Sequence, residues 1–517
     1  MNKILLNLDT KKFFYTLLIL NSFLFTFYSG LRGVFPLDSF LIFDAGYKII
    51  NNLHPFKDYW SITGPFLDYI QAFLFSLLNV SWSAYIFHAF LLNTAVSLVA
   101  FYFFNLLGLR NFFSFIYSLS ISILAYPSAG TPFMDHHATI LSLIAIIYLI
   151  LGLKTKNNLY WFILPILLGF SFFSKQVPAA FFCFFFTIIL FSNLYFKRSK
   201  NLNPLIYFIY GVILFVFLVV SLILINEIPI KNILVQYFFY PLSIGSDRSN
   251  ILNLDINNVI LQFKLIYISI IPLIISGFYI FKKKNNFSDI LIFTTVITSL
   301  CIFIYSQLLT KNQVLIFFLI PFYLGMSHYF ANKYLKKKYT TFFLLFILII
   351  STVKFHQRFN IEKKFMELNN VDFKTGIDGG NLDIKFKGLN WISPNYPKNP
   401  SKEIDLLKDT KEKIINEKYN KIIITDYQIL PYLTKSKIPT PNKWFDNLSV
   451  PKKNNKYFIE YKEFFVQKLK KEEISVIFIV GKKKDVYLEN IFPKADCMIK
   501  TRINELSKKI DIRKCFN

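Results

Sequence analysis

The sequence predicts an α-helical polytopic membrane protein of about eleven transmembrane helices, followed by a C-terminal extramembrane α/β domain. Three observations predict it. The 517 residues are 54% hydrophobic and 19% aromatic, with 62 Phe, far more apolar than a soluble chain of this size. Runs such as FFYTLLILNSFLFTFYSGL (13–31) and LIYFIYGVILFVFLVVSLILI (205–225) reach the roughly 20 apolar residues that cross a bilayer core. Finally, the basic residues fall in short clusters between these runs, as in membrane proteins that keep Lys and Arg on the cytoplasmic side.

The spans are expected near 13–31, 84–107, 112–127, 138–153, 159–174, 177–196, 204–226, 259–281, 287–306, 313–331 and 339–354. The first run has no small-residue cleavage site and is long enough to cross, so it reads as a retained helix. With the N-terminus (Lys3, Lys11, Lys12) in the cytoplasm, the inside loops hold 16 of the 25 Lys and Arg of residues 1–354. The remaining nine are scattered singly outside. The stretch 64–79 is apolar but short and carries Asp68, and it reads as a helix lying on the outer surface. Outer loop one then spans about 32–83 and outer loop two about 127–138.

Residues 355–517 change character. They hold 33 Lys and Arg interleaved with 21 of the 31 acids, a solvated surface. The net charge of +27 is therefore membrane topology plus a lysine-rich exterior, and nucleic acid is not an expected partner. EIDLLKDTKEKIINEKY (403–419) reads as an exposed helix before the strand-like KIIITDY (421–427). YFIEYKEFFVQKLKKEEI (457–474) likewise precedes SVIFIVG (475–481), so a small α/β domain with a parallel core is expected on the outer side. Cys497 and Cys515 are the cysteines outside the spans, and a disulfide between them suits that compartment. Cys183 and Cys301 read as packed or lipid-facing apolar residues.

Residues 1–354 contain only ten carboxylates, and on this topology all but Asp9 and Asp289 face outward. Four lie in LDSFLIFDAGYKIINNLHPFKDYWSITGPFLDYI (37–70). Asp38 and Asp58 read first as solvated loop acids and Asp68 as a headgroup-facing one. Asp44 opens a helical pattern (Phe43, Tyr47, Ile50), where an acid can face a cavity, and it is the preferred catalytic candidate. In MDHHA, Asp135 reads either as a helix N-cap or, with His137 two residues on, as a ligand pair for Mn²⁺ or Mg²⁺. Lys175 in FSKQVPA sits between two spans with almost no loop, either snorkelling or contacting a lipid phosphate together with Arg248 or Lys231. Asp58, His136 and Glu227 are secondary candidates, while His54, His88 and His328 read as packing or hydrogen-bonding residues.

This layout resembles the GT-C glycosyltransferases, membrane enzymes that take a sugar from a polyprenyl-phosphate carrier, such as protein mannosyltransferases, the aminoarabinose transferase of lipid A and oligosaccharyltransferase catalytic subunits. FDAGYKIINNLHPFKDYWSITGPFLDYIQAF looks like the first-loop pattern of bacterial members, MDHHA like the second-loop metal motif, and FSKQVPA like a Lys-bearing motif after the fifth span. The resemblance implies Asp44 as general base, Asp135 and His137 as metal ligands, and Lys175 with Arg248 against the donor phosphate. It implies a multi-pass protein of a bacterial inner membrane with a periplasmic C-terminal domain, acting in the cell envelope on a lipid, glycan or protein acceptor. The chain departs from the family in lacking WWDYG, so transfer of a preassembled glycan to Asn is not expected, and Ala45 follows Asp44 where protein mannosyltransferases have Asp-Glu. The alternatives are a lipid-linked glycan flippase or transporter, which would carry charge near the bilayer midplane, and an O-antigen ligase or polymerase, which would lean on Arg-rich outer loops.

Overall fold

A computed structural model describes residues 2–196, 202–245, 252, 254–282, 287–310, 316–336, 338–481, 486–492 and 495–516. The chain is mostly helical, with a small sheet region near the C-terminus. Among the described residues seven helical segments are long and apolar enough to cross a membrane: Thr10–Gly30, Trp82–Leu106, Met134–Lys154, Gln176–Phe196, Asn203–Ile225, Phe287–Thr310 and Lys338–Met366. Shorter apolar helices cover Phe66–Leu78, Asn111–Leu124, Leu159–Phe172 and Ile271–Lys282. In chain order the elements needed below are α1 (Asn2–Gly30), α2 (Leu41–Ile50), α3 (Phe66–Leu78), α4 (Trp82–Leu106), α5 (Asn111–Leu124), α6 (Met134–Lys154), α7 (Leu159–Phe172), α8 (Gln176–Phe196) and α9 (Asn203–Ile225).

Two uniformly apolar helices take opposite places. Helix α6 is buried almost along its whole length and packs against α4, α7 and α8. Helix α9 buries only Gly211, where a Cβ would collide with the Phe162 carbonyl of α7, so the missing side chain lets the two helices close on each other. A helix that is apolar all round suits either the protein interior or a lipid-facing position, and sequence pattern alone does not separate the two.

Two short strands, β1 (Ile377–Asp378) and β2 (Asn390–Trp391), pair antiparallel; the larger C-terminal sheet has the order β3-β4-β6-β5, with β3 (Lys421–Thr425), β4 (Val476–Val480), β5 (Ile499–Arg502) and β6 (Ser507–Asp511). Strands β3 and β4 are parallel, joined through helix Phe458–Lys471, and their continuous apolar runs are almost wholly buried. The expected parallel core is thus a single pair, and β4, β6 and β5 continue it antiparallel. A disulfide joins Cys497 and Cys515, closing the β5–β6 hairpin at its open end with Cα atoms 4.8 Å apart.

This region does not stand apart from the helical body. Gly33 N donates to Asn390 O (3.0 Å), Val34 N to Ile392 O (2.9 Å) and Asn390 N to Leu31 O (2.9 Å), so the chain leaving α1 pairs with the C-terminal region. Residues 441–443 return to the same loop, where Trp60 N donates to Pro441 O (3.1 Å) and Lys443 N to Trp60 O (2.9 Å). One apolar core unites Phe40, Phe43 and Trp82 with Trp391, Tyr427 and Phe478.

Candidate functional site

Asp38 lies in the turn before α2. Its neighbours fix that turn: Phe35 N donates to Ser39 Oγ (2.9 Å), Thr131 Oγ1 to Ser39 O (3.2 Å), and Leu37 N to Asp426 O (2.7 Å). Leu37 is held at φ +77°, a strained conformation for a branched residue and one that surrounding structure must impose. The segment before α6 and the end of β3 thereby meet at Asp38. Burial pushes its carboxyl up to about 7; Asp135 and Asp446 push it further, Lys175 pulls it back, and Asp426 adds a smaller push. A carboxylate poised there suits a base working near neutral pH.

Asp135 stands in the first turn of α6 and forms an ion pair with Lys175, which sits in the tight turn between α7 and α8. Both side chains are largely buried. Gly64 brings the first loop against this turn: a Cβ there would collide with the Phe173 carbonyl, to which Phe66 N donates (3.1 Å). Gln176 ties the turn to two loops at once, its Nε2 donating to Ile62 O and Tyr237 O (both 3.0 Å). Side chains from the turn before α2, the first turn of α6 and the α7–α8 turn, joined by Asp426 and Asp446 of the C-terminal region, therefore act on one place.

The pairing of Asp135 with His137 as metal ligands is not what the helix provides. Both lie in α6, and residues two apart on a helix project to different sides. Asp135 turns to Lys175, while the His137 ring contacts His88 (centroids 4.8 Å apart) and its Nδ1 lies 3.0 Å from Phe133 O. Among the described residues no three His, Cys, Asp or Glu side chains gather in a metal-binding group. As placed, Asp135 and His137 do not face one another as the expected pair of Mn²⁺ or Mg²⁺ ligands would.

Asp44, the base expected from the resemblance, is enclosed with a cation. It is 3% exposed, and its Oδ2 is 2.7 Å from Lys48 Nζ one helical turn on. Asp68, expected at headgroups, is fully buried and held by Lys443 Nζ at 2.6 and 2.8 Å, with Thr63 Oγ1 3.3 Å from the same nitrogen. Burial raises the pKa of both acids and lowers that of Lys443; Lys48 and Lys443 each act on both acids to hold them ionised. Two acids and two lysines thus balance in a closed group, with Lys48 Nζ also 4.7 Å from the Tyr59 ring centroid. Lys443 was invisible as a partner in the sequence because it is brought in from the far end of the chain.

The remaining candidates lie elsewhere. Asp58 accepts from His54 N (2.8 Å) and pairs with Lys468 (3.2 Å), stitching the loop to helix Phe458–Lys471. Glu227 is exposed and meets Lys57 at 3.2 Å. His136 is buried with Nε2 3.2 Å from Ala125 O. Arg248 lies outside the described residues. An open cleft of about 810 Å³ runs along the carboxyl end of β4, between Gly481 and the basic residues Lys402, Lys500, Arg502 and Lys508. Gly481 approaches Asp426 so closely that a Cβ would stand 2.7 Å from its Oδ2, which sets this cleft beside the Asp38 group. A scan against protein-family models finds no match to this chain, and a search of curated proteins finds none either.

Proposed function

We propose that the chain is a membrane glycosyltransferase that moves a sugar from a polyprenyl-phosphate-linked donor to a lipid, glycan or protein acceptor, with Asp38 in the role of general base. The observation that carries this reading is the gathering of Asp38, Asp135 and Lys175 at one end of the apolar helices, with Asp426 and Asp446 acting on Asp38 from the C-terminal region. Glycosyl transfer at a lipid boundary needs a base for the acceptor hydroxyl and a cation for the departing phosphate, and this group contains both. The acceptor oxygen attacks the anomeric carbon with inversion and gives its proton to Asp38. The anomeric C–O bond to phosphate breaks, and polyprenyl phosphate leaves with the electron pair. Lys175, oriented by Asp135, faces that charge, and the cleft beside Gly481 receives the acceptor.

In this reading all eleven expected spans cross the membrane, the shorter helices Asn111–Leu124, Leu159–Phe172 and Ile271–Lys282 included, while Phe66–Leu78 lies on the outer surface, with the N-terminus cytoplasmic and residues 355–517 periplasmic. A midplane transport path is less favoured, because the acids gather at helix ends. The experiment is transfer of labelled sugar from a polyprenyl-phosphate donor by the purified chain in lipid. Asp38→Asn is expected to lower it by about 10²–10⁴-fold. Donor left uncleaved by the unaltered protein while lipid-linked sugar crosses the bilayer would sink the reading.

A further inference from the structure

Two of the cations that stand alone in the sequence meet a third in one place. Lys264, Lys354 and Arg358 line a cleft of about 150 Å³ where helix Lys338–His356 ends and helix Lys264–Ser269 begins. Its wall is a stack of three rings. Phe317 lies 5.4 Å from Phe355 and 5.0 Å from Phe359, each within 14° of parallel, and the Arg358 guanidinium sits 5.3 Å from the Phe359 centroid. A π-helical turn, Gln357–Ile361, carries Arg358 and Phe359, a local widening often found at functional positions.

No carboxylate offsets these charges: among the described residues none of the three cations forms an ion pair. Glu362, the nearest acid in sequence, accepts from Gln357 Nε2 at 3.2 Å. Arg358 Nε is buried with no hydrogen-bond acceptor. A buried donor without an acceptor is costly, and an anion in the cleft would supply one. Exposed apolar side chains continue from its rim, among them Ile260, Leu261 and Val353, at 52%, 50% and 63%. Phosphate chemistry beside an acyl-sized apolar surface describes a lipid better than a free ion.

We propose that this cleft binds the phosphodiester headgroup of an anionic phospholipid, separately from the group around Asp38. The cations take the phosphate, the aromatic stack packs the glycerol backbone, and the acyl chains run down the exposed apolar face. None of Asp38, Asp135 or Lys175 lines the cleft, so its occupancy does not depend on glycosyl transfer.

The test is native mass spectrometry of the full chain released from nanodiscs of phosphatidylcholine containing phosphatidylglycerol. Retention of phosphatidylglycerol is expected to weaken on the order of tenfold in Lys264→Gln/Lys354→Gln/Arg358→Gln. A control removing equal charge elsewhere, Lys411→Gln/Lys413→Gln/Lys471→Gln, is expected to retain it. Lys354→Gln alone, at an exposed position, guards against misfolding and should weaken retention about twofold. Equal retention in the site and control variants would overturn the proposal, as would displacement of phosphatidylglycerol by millimolar inorganic phosphate or preferential capture of polyprenyl phosphate.

Discussion

Asp68 and Asp38 belong to the same stretch of chain between α1 and α4, yet they are housed in opposite ways. Asp68 and Asp44 are buried with Lys443 and Lys48, acid matched by base, inside a shared aromatic core. Asp38 sits among Asp135, Asp426 and Asp446 with Lys175 as the opposing charge, beside an open cleft. A balanced and closed group holds the C-terminal region onto the helices. An acid-rich group at a cleft holds one carboxyl near neutrality, where it can exchange a proton during a reaction. The difference lies in charge balance and access, since burial raises the pKa of all three acids.

The closed group should break most severely. Lys443→Met leaves Asp68 buried without its cation, and a loss of about 3–5 kcal/mol is expected, read as a lower unfolding midpoint in detergent. Pairing it with Asp68→Leu should restore most of the loss, because replacing both partners removes the stranded charge. Next, Lys175→Gln should slow transfer at neutral pH on the order of 10²-fold and move the midpoint of its pH dependence upward, since the charge that pulls Asp38 down is gone. An unmoved midpoint would separate Lys175 from Asp38.

Asp44→Asn sharpens the contrast. It should cost about 1–3 kcal/mol by weakening the partner of buried Lys48, while the folded fraction keeps its transfer rate within a few-fold. The last effect concerns the stability that Asp38 itself controls. Its pKa in the folded state, about 7, lies above the ordinary 3.8, so its ionisation destabilises the fold progressively as pH rises from about 4 to about 7. Asp38→Asn should therefore melt higher than the unaltered protein at pH 8 and match it at pH 4, with the gap opening between those two values.

Much of the fold was legible because its signals are local. Apolar runs marked the helices, and the uniformly apolar β3 and β4 announced a buried parallel pair. The β5–β6 hairpin was not legible: β5 is wholly exposed, Lys500 and Arg502 interrupt it, and Lys508 and Lys509 interrupt β6, so no apolar face appears in either. The site was legible only in outline. Lys48 four residues after Asp44 was a visible sign of an internal helical pair, and MDHHA opening a helix meant that its Asp and second His diverge. Asp38 acquires its environment from Asp135, Lys175 and Asp426, which no spacing near position 38 encodes.

The pH dependence of sugar transfer, measured side by side for the unaltered chain, Asp38→Asn and Asp44→Asn, tests the central claim most directly. With Asp38 as the base, the rate should rise with pH through a midpoint near 7 in the unaltered protein and in Asp44→Asn, and stay low and flat in Asp38→Asn. Full transfer by Asp38→Asn, or its loss in folded Asp44→Asn alone, would contradict the account and return the base to the buried position.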